Sequence, residues 1–206
     1  MGLQANLAKD VFCVSIFKNY YDGFIDLIKQ PSPGVLDLYS NDNVGKVEIH
    51  GVEISWKRND WKFEESFPAF DFGLSFSWTE GDKPDQNQPL NSIEPWKLIS
   101  FVDWVSDSKT KGIRLTSTYR AKKKYNQIDQ SIGENFSVGD SIVLDVSAWF
   151  EISDRWKILG GINNLTDEKY FLWSSVRRWG GHSSNSVNEK NTQPGTNAFI
   201  KVEASF

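Results

Sequence analysis

Strict alternation between apolar and polar side chains is the feature of this sequence that most restricts its fold. Residues 140–152 carry apolar side chains at every second position, and mostly polar residues lie between them. Residues 70–79 and 197–206 repeat the pattern. Because successive side chains of a strand point to opposite faces, each segment is predicted to form a long strand with one apolar face.

Five weaker segments complete a set of eight predicted strands, at about residues 8–21, 44–57, 96–105, 111–121 and 156–165. Most of them exceed the usual strand length of about 5–6 residues. They match the roughly 9–11 residues that a strand needs to cross a membrane. The sequence therefore predicts an all-β protein, an antiparallel transmembrane β-barrel segment of about eight long strands.

The predicted connections between these strands alternate in length. Short polar turns are expected at residues 58–62, 106–110 and 153–155, and long loops at 22–43, 80–95, 122–139 and 171–195. Bacterial outer-membrane barrels have short periplasmic turns and long outside loops. The long loops are rich in Asn, Gly, Ser and Pro, so they are expected to face solvent.

The composition suits a surface with an apolar medium on one side and water on the other. Apolar residues make up 39% and aromatic residues 14% of the chain, against about 45–50% apolar residues in ordinary globular domains. The net charge of −4 provides no basic surface for nucleic acid. The aromatics near predicted strand ends suit a membrane-interface girdle, and a soluble β-sandwich core is the competing interpretation: Tyr20, Tyr21, Trp61, Trp78, Trp96, Trp104, Tyr119, Tyr125, Trp156, Tyr170 and Trp173.

The sequence carries no stretch of 18 or more apolar residues, so no transmembrane helix is expected. Residues 1–9 also lack the charged start and apolar core of an export signal. Since an outer-membrane protein needs such a signal, the barrel interpretation implies a piece of a longer chain.

Four stretches resemble TonB-dependent receptors. The sequence GINNLTDEKY at residues 161–170 is similar to the family motif G-x-x-N-L-x-D-x-x-Y of the penultimate strand, and Gln193-Pro194-Gly195 resembles the turn before the last strand. Residues 43–53 (NVGKVEIHGVE) resemble a further strand motif of the family. The chain ending resembles the C-terminal signal read by the barrel-assembly machinery, which places Phe206, Ala204, Val202 and Ile200 in that signal.

The resemblance covers nearly the whole chain. It implies that residues 1–206 are the C-terminal portion of a receptor barrel of about 22 strands, without its plug domain. It also implies a multi-pass β-barrel in the outer membrane of a Gram-negative bacterium, coupled to the TonB complex through a missing N-terminal part. Lipopolysaccharide and the barrel-assembly machinery are further expected partners. No intrinsic cofactor is expected, and no catalytic motif indicates an enzyme.

The substrate class follows from residues 171–177 (FLWSSVR), which resemble the Y-W-x-W-x-x-V-R run of haem and haemoglobin receptors, including haemophore receptors. The sequence departs from that run at Phe171, where Trp is expected, and at Arg178, where Gly is common. The resemblance implies that haem, or a haem-carrying protein, is the ligand. The candidate ligand-binding residues are His182, Arg177, Arg178 and Trp173.

Each candidate has a competing interpretation. His182 is a candidate axial ligand of haem iron or an exposed loop histidine without a role, and the main haem ligands are expected outside this chain. Arg177 and Arg178 are candidate partners of haem propionates, or of lumen acids and lipopolysaccharide phosphates. His50 is expected to face the lumen. The basic tract at residues 120–125 (RAKKKY) is expected to be a solvated outside loop.

Three alternatives to a haem receptor stay open. One is a receptor for a siderophore or another nutrient. Another is a self-contained eight-stranded outer-membrane barrel with a structural or adhesive role, and the third is a soluble secreted β-sandwich. Many small polar residues at presumed lumen positions, such as Ser75, Ser77, Ser147 and Ser205, favour a wide lumen that holds a plug.

Overall fold

Antiparallel strands dominate the computed structural model, which describes residues 1–31, 38–129, 138–177 and 190–205. The strands are β1 (Gly2–Leu7), β2 (Asp10–Tyr21), β3 (Ile25–Gln30), β4 (Leu38–Asn43), β5 (Val47–Trp61), β6 (Phe70–Lys83), β7 (Gln88–Pro89), β8 (Lys97–Val105), β9 (Lys111–Arg120), β10 (Ser141–Ser153), β11 (Trp156–Asn163) and β12 (Asn197–Ala204). One α-helical turn, α1, spans Trp173–Val176, and two 3₁₀ turns span Pro84–Gln86 and Tyr125–Gln127.

The main sheet follows chain order. Its neighbours are β1-β2-β5-β6-β8-β9-β10-β11-β12, all antiparallel, with β7 paired to the end of β6. The strands β3 and β4 form a separate hairpin. Within the described residues, β1 and β12 each pair on one side only. The sheet is therefore open, which contradicts the self-contained eight-stranded barrel and agrees with a part of a larger barrel.

The strand at the start of the chain was missed by the sequence prediction. β1 pairs with β2 through a turn at residues 8–9, which the predicted strand 8–21 had included. The main sheet consequently has nine strands in its path. The predicted turn at 58–62 is also displaced, because β5 continues through a bulge between Arg58 and Trp61 and the connection lies at residues 62–69. The bulge interrupts the alternation and makes the strand resemble a turn.

The connections lie at two ends of the sheet. The end with short connections, at residues 8–9, 62–69, 106–110 and 154–155, is called the turn end. The opposite end, with connections at 22–46, 84–96, 121–140 and 164–196, is called the loop end. This alternation agrees with the predicted order of short turns and long loops.

The sheet has one apolar face and one polar face. Since directly opposed residues of an antiparallel pair lie on the same face, the register defines both. The apolar face includes Phe12, Val14, Ile16, Val52, Ile54, Trp56, Phe72, Leu74, Phe76, Leu98, Val102, Ile113, Leu115, Ala148, Phe150, Ile158, Ile200 and Val202. The polar face includes Cys13, Ser15, Glu53, Ser55, Ser75, Ser77, Thr116, Asp145, Ser147, Lys157 and Lys201.

Glycine and aromatic residues alternate across the polar face. Four glycines lie directly opposite an aromatic residue of the next strand: Gly51 opposite Phe17, Gly73 opposite Phe101, Gly112 opposite Trp149, and Gly161 opposite Phe199. A Cβ atom at Gly161 would lie 2.7 Å from the Phe199 ring, and one at Gly73 would overlap the ring of Phe101. Glycine is therefore required where a large ring lies against the neighbouring backbone.

The most deeply buried apolar side chains lie at the loop end. One cluster, called the cap core, contains Ile128, Val138, Trp173 and Val176, with Phe171 packed against it. A second cluster of Val44, Val47 and Leu90 packs against Phe24, Ile28, Ile49 and Ile93, and it anchors the β3–β4 hairpin. The prediction that the long loops face solvent is wrong for these segments, because their few apolar residues converge into local cores.

Candidate ligand-binding site at the loop end

The turn formed by the GINNLTDEKY motif is held by the buried side chain of Asn164. Its amide donates to the carbonyl oxygens of Glu168 (2.9 Å) and Pro194 (3.2 Å), and its oxygen accepts the backbone N–H of Glu168 at 2.8 Å. Thr196 donates its hydroxyl to the Asn164 carbonyl at 2.7 Å, and its N–H donates to Asp167 at 3.0 Å. The motif therefore joins the end of β11 to the Pro-Gly segment before β12, and it fixes the start of the segment that follows Tyr170.

The segment after Tyr170 folds inward and forms the centre of the loop end. Trp173 is 1% exposed, and its indole Nε1 donates to the carbonyl oxygen of Asn91 at 2.6 Å. The backbone N–H of Ser174 donates to Glu94 Oε1 at 2.7 Å. These bonds tie α1 to the connection between β7 and β8. The described segments 90–95, 121–129, 138–139 and 170–177 are together called the loop-end cap.

A buried ion pair fixes a second connection to the sheet. Lys83, the last residue of β6, donates its ammonium to the carboxylate of Asp129, and their side chains are 5% and 1% exposed. The backbone N–H of Asp129 also donates to Asn91 Oδ1 at 2.7 Å. Because a buried charge needs a partner and hydrogen bonds, this pair specifies one position for the connection between β9 and β10.

Lys123 is a further buried cation of the loop-end cap. It is 4% exposed, its ammonium donates to the carbonyl oxygen of Ile93 at 2.7 Å, and it lies 5.4 Å from the centre of the Trp173 ring. Burial lowers the pKa of Lys123 to about 8, although the carboxylates of Glu94 and Glu80 oppose the change. The prediction that residues 120–125 form a solvated loop is wrong for Lys123.

A cavity of about 440 Å³ lies between the polar face and the loop-end cap. Its floor includes Ser77, Thr79, Lys97 and Arg120, and its walls include Phe171, Trp173 and Pro95. The guanidinium of Arg120 lies 5.3 Å from the centre of the Tyr170 ring. A concave site with apolar walls and a few polar groups is the usual form of a small-molecule site, whose volume is about 300–1,000 Å³.

Comparison with known families identifies the chain. Residues 8–165 match the family model described as TonB dependent receptor-like, beta-barrel. This chain belongs to the TonB-dependent receptor family. Members of that family are outer-membrane receptors and transporters, not enzymes. In such barrels the apolar face contacts lipid and the polar face lines the lumen, which defines the two faces of this receptor sheet.

The receptor chain has curated relatives at low identity. It is 25% identical, over 95% of its length, to the probable hemoglobin and hemoglobin-haptoglobin-binding protein 4 of Haemophilus influenzae, of which it covers 22%. It is 22% identical over its full length to the hemoglobin-haptoglobin utilization protein B of Neisseria meningitidis serogroup C, of which it covers 30%. The chain thus spans less than a third of the length of these relatives.

Solved receptors have the same fold. The copper transporter OprC aligns with the whole of this chain, with a TM-score of 0.78 and 18% identity, over 30% of its own length. A ferric enterobactin receptor of Pseudomonas aeruginosa, PfeA, aligns with a TM-score of 0.70 and 16% identity, again over 30% of its length. The predicted fold, part of a larger antiparallel receptor barrel, is confirmed.

The structure describes part of the predicted site. Trp173 and Arg177 lie on the same helical turn, where the N–H of Arg177 donates to the Trp173 carbonyl at 2.8 Å. Arg178, His182 and Phe206 lie outside the described residues. Ile200, Val202 and Ala204 lie on the apolar face. The assembly role of the C-terminal residues stays a prediction. The ligand contacts of Trp173, Arg177, Arg178 and His182 also stay predictions.

His50 lies on the apolar face, which contradicts the prediction that it faces the lumen. Its position is directly opposite Lys18 and Glu80, and its ring lies 5.5 Å from that of Trp78. The alternation of β5 places His50 on the same face as Val52, which is two positions further along the strand. Among the predicted girdle residues, Trp96 also lies on this side, in contact with Phe76 and Tyr119 at ring distances of 5.7 and 5.0 Å. Trp173 is a core residue instead.

Sequence patterns did not indicate Lys97, Lys123 or Arg120 as residues of the site. Their convergence depends on strand register and on the folding of separate loops, which no local motif encodes. No described helix is long and apolar enough to cross a membrane. Residues 1–31, 38–129, 138–177 and 190–205 contain no group of three or more His, Cys, Asp or Glu side chains arranged to hold a metal ion.

Proposed function

We propose that this chain is the C-terminal portion of the barrel of an outer-membrane receptor that takes up haem, or haem from a haem-carrying protein, into the periplasm. The observation that carries the proposal is the run at residues 171–177, which resembles haem and haemoglobin receptors and forms the buried centre of the loop-end cap. The relatives named for binding or utilization of haemoglobin and haemoglobin-haptoglobin support the same substrate class.

The remaining partners follow from this assignment. The apolar face, with Ile16 58% and Ile200 76% exposed, is proposed to contact the lipid of the outer membrane. Unpaired strand edges are not tolerated in lipid, so β1 and β12 are proposed to pair with further strands of a complete receptor. TonB would act through a part of the receptor outside this sequence. The barrel-assembly machinery and lipopolysaccharide are the other proposed partners.

Within the proposed receptor, the roles of the predicted residues differ. Trp173 is buried and bonded to Asn91, so its proposed role is to position the loop-end cap near the ligand. Arg177 follows α1 and is proposed to bind a haem propionate, as is Arg178. His182 is proposed as an axial ligand of haem iron. Substitution of each residue in the complete receptor, followed by haem titration, tests these roles separately.

Growth on haem tests the function. The complete receptor gene that contains this chain is expressed in a haem-auxotrophic host without its own haem receptor, with and without an intact TonB system. We expect growth on haem or haemoglobin only when the receptor and TonB are both present. The same host, starved of iron, is supplied with ferric siderophores. Growth on ferric siderophore but not on haem would overturn the haem assignment and favour the siderophore alternative.

A further inference from the structure

Two neighbouring cations of the polar face have no carboxylate partner among the described residues. Lys97 of β8 lies directly opposite Arg120 of β9, and both side chains line the cavity below the loop-end cap. Like charges placed directly opposite each other destabilise a sheet. Within the described part of the chain neither residue forms an ion pair, whereas Arg114, nearer the start of β9, binds Asp103 through two hydrogen bonds of 2.6 Å.

The guanidinium of Arg120 contains a buried donor without an acceptor. Its Nη1 atom is shielded from solvent and has no hydrogen-bond partner among the described residues. One face of the group lies near the Tyr170 ring, 5.3 Å from its centre. A buried donor that stays unpaired is costly, so the arrangement suits a site completed by an acceptor from outside the described chain. A guanidinium fork matches a carboxylate in particular.

The surroundings of Arg120 indicate what carries that carboxylate. The apolar residues Phe171, Leu172 and Pro95 contribute to the lining beside the buried Trp173, and Ser77 and Thr79 are polar residues of the same lining. Glu94 is the acid that lines the cavity, and its carboxylate already accepts the N–H of Ser174. The cavity is therefore suited to an organic acid with a flat apolar body.

We propose that Arg120 and Lys97 bind a carboxylate of the transported ligand, which, resting on the function proposed above, is a propionate of haem. The cavity, of about 440 Å³, would hold the carboxylate end of the ligand. Arg120 provides the directed hydrogen bonds and Lys97 adds positive charge. The site lies on the polar face, and Arg120 and Lys97 are not among the ligand-binding residues predicted from the sequence.

A second possible source of the carboxylate is an acidic side chain from a part of the receptor outside this sequence. The experiment separates the two sources by using the complete receptor, purified in detergent, and haem titration followed by Soret absorbance. Haem dimethyl ester, whose two carboxylates are blocked, is the second probe. The variants are Arg120→Gln, Arg120→Lys and Lys97→Gln. Lys57→Gln is the control, because Lys57 lies on the same face near the turn end.

We expect Arg120→Gln to raise the Kd for haem roughly tenfold or more, as a lost charge-assisted hydrogen bond would. Lys97→Gln should raise it less, and Arg120→Lys should fall between the wild type and Arg120→Gln. Lys57→Gln should bind haem like the wild type. The ester should bind the wild type and Arg120→Gln equally, since it has no carboxylate to lose.

Other outcomes overturn the proposal in distinguishable ways. If the wild type binds haem and Arg120→Gln binds it equally well, the carboxylate site is wrong and the proposed function stands. Should that variant also unfold at a lower temperature without ligand, an internal carboxylate occupies the cavity. If Arg120→Gln does not assemble, unchanged binding by both Arg120→Lys and Lys97→Gln is the contrary result. A wild type without any Soret change overturns the haem function and this assignment together.

Discussion

The apolar face of the strands and the loop-end cap bury their side chains in opposite ways. On the apolar face Ile16 is 58% and Val202 is 56% exposed, whereas in the cap core Ile128 and Trp173 are each 1% exposed. In the proposed receptor the main sheet is held by its backbone ladders and by lipid, since lipid offers hydrocarbon contact without burial inside the protein. The loop-end cap has its own buried core. The main sheet therefore leaves its apolar side chains on its outer surface, whereas the loop-end cap buries them inside the protein.

The largest effect is expected from truncating the buried ring of the cap core. Trp173→Ala removes an indole with a hydrogen bond to Asn91, and a change of this kind costs about 3–5 kcal/mol. The matched change on the apolar face, Ile16→Ala, should alter cap stability by less than about 0.5 kcal/mol. Limited proteolysis of the complete receptor at the loop end measures both, because cleavage reports local opening. Equal proteolysis of the two variants would remove the distinction between the regions.

Breaking the buried ion pair should have an effect of similar or slightly smaller size. Asp129→Asn leaves the ammonium of Lys83 buried without its counter-charge, and removing one partner of such a pair costs about 3–5 kcal/mol. The control is Glu151→Gln, which breaks the half-exposed pair with Lys157 (3.6 Å) and should cost at most about 1 kcal/mol. Thermal unfolding in detergent compares them. A control as harmful as Asp129→Asn would show that burial does not set the difference.

The glycine and aromatic pairs distinguish the packing on the polar face of the main sheet from that on the apolar face. Gly73→Ala would place a methyl group in the ring of Phe101 on the polar face. Overpacking of this kind costs about 1–3 kcal/mol. Gly160→Ala is the control on the apolar face, where the nearest atom would be the Phe199 carbonyl oxygen at 3.5 Å. The yield of folded receptor in the outer membrane should fall for Gly73→Ala alone, and a matching fall for Gly160→Ala would contradict the packing argument.

A pH-dependent effect is expected at Lys123, the buried cation of the loop-end cap. Its pKa is lowered to about 8 from an ordinary 10.5, so the unfolded cap binds more protons than the folded cap between these values. Stability of the cap should therefore rise as pH increases from about 8 to 10.5. Lys123→Gln should lose this rise, while Lys124→Gln, at an exposed position, should keep it. Proteolysis at several pH values measures it, and an unchanged profile in Lys123→Gln would contradict the assignment.

The sequence predicted the main sheet far better than the loop-end cap. Alternation over long segments placed eight of the nine strands of the main sheet, and it set the order of short turns and long loops. The first strand alternates, with Leu3, Ala5 and Leu7 at every second position, but it was missed because its six residues are fewer than a membrane strand needs. The strand β5 was cut short because the bulge near Arg58 breaks the period. His50 was predicted on the wrong face, because its side depends on the register that aligns it with Lys18 and Glu80.

The residues of the candidate site were also predicted only in part. Motif resemblance predicted a ligand-binding role for residues 171–177, and that segment lies at the centre of the loop-end cap. Arg120 was read as the start of a solvated basic loop, although it ends β9 on the polar face and lines the cavity. The residues that complete the site come from strands and loops far apart in sequence, so no local pattern could have joined them.

By itself, the sequence determined the strand pattern, the two faces of the sheet and the family, because a period of two and a few turn motifs are local properties. Only the tertiary structure decided which loop residues are buried, that Trp173 is a core residue, and that Lys97 and Arg120 lie side by side in a cavity. The physical reason is that register and loop packing join distant segments. Burial and charge pairing depend on those neighbours, and not on the residues that precede or follow in the chain.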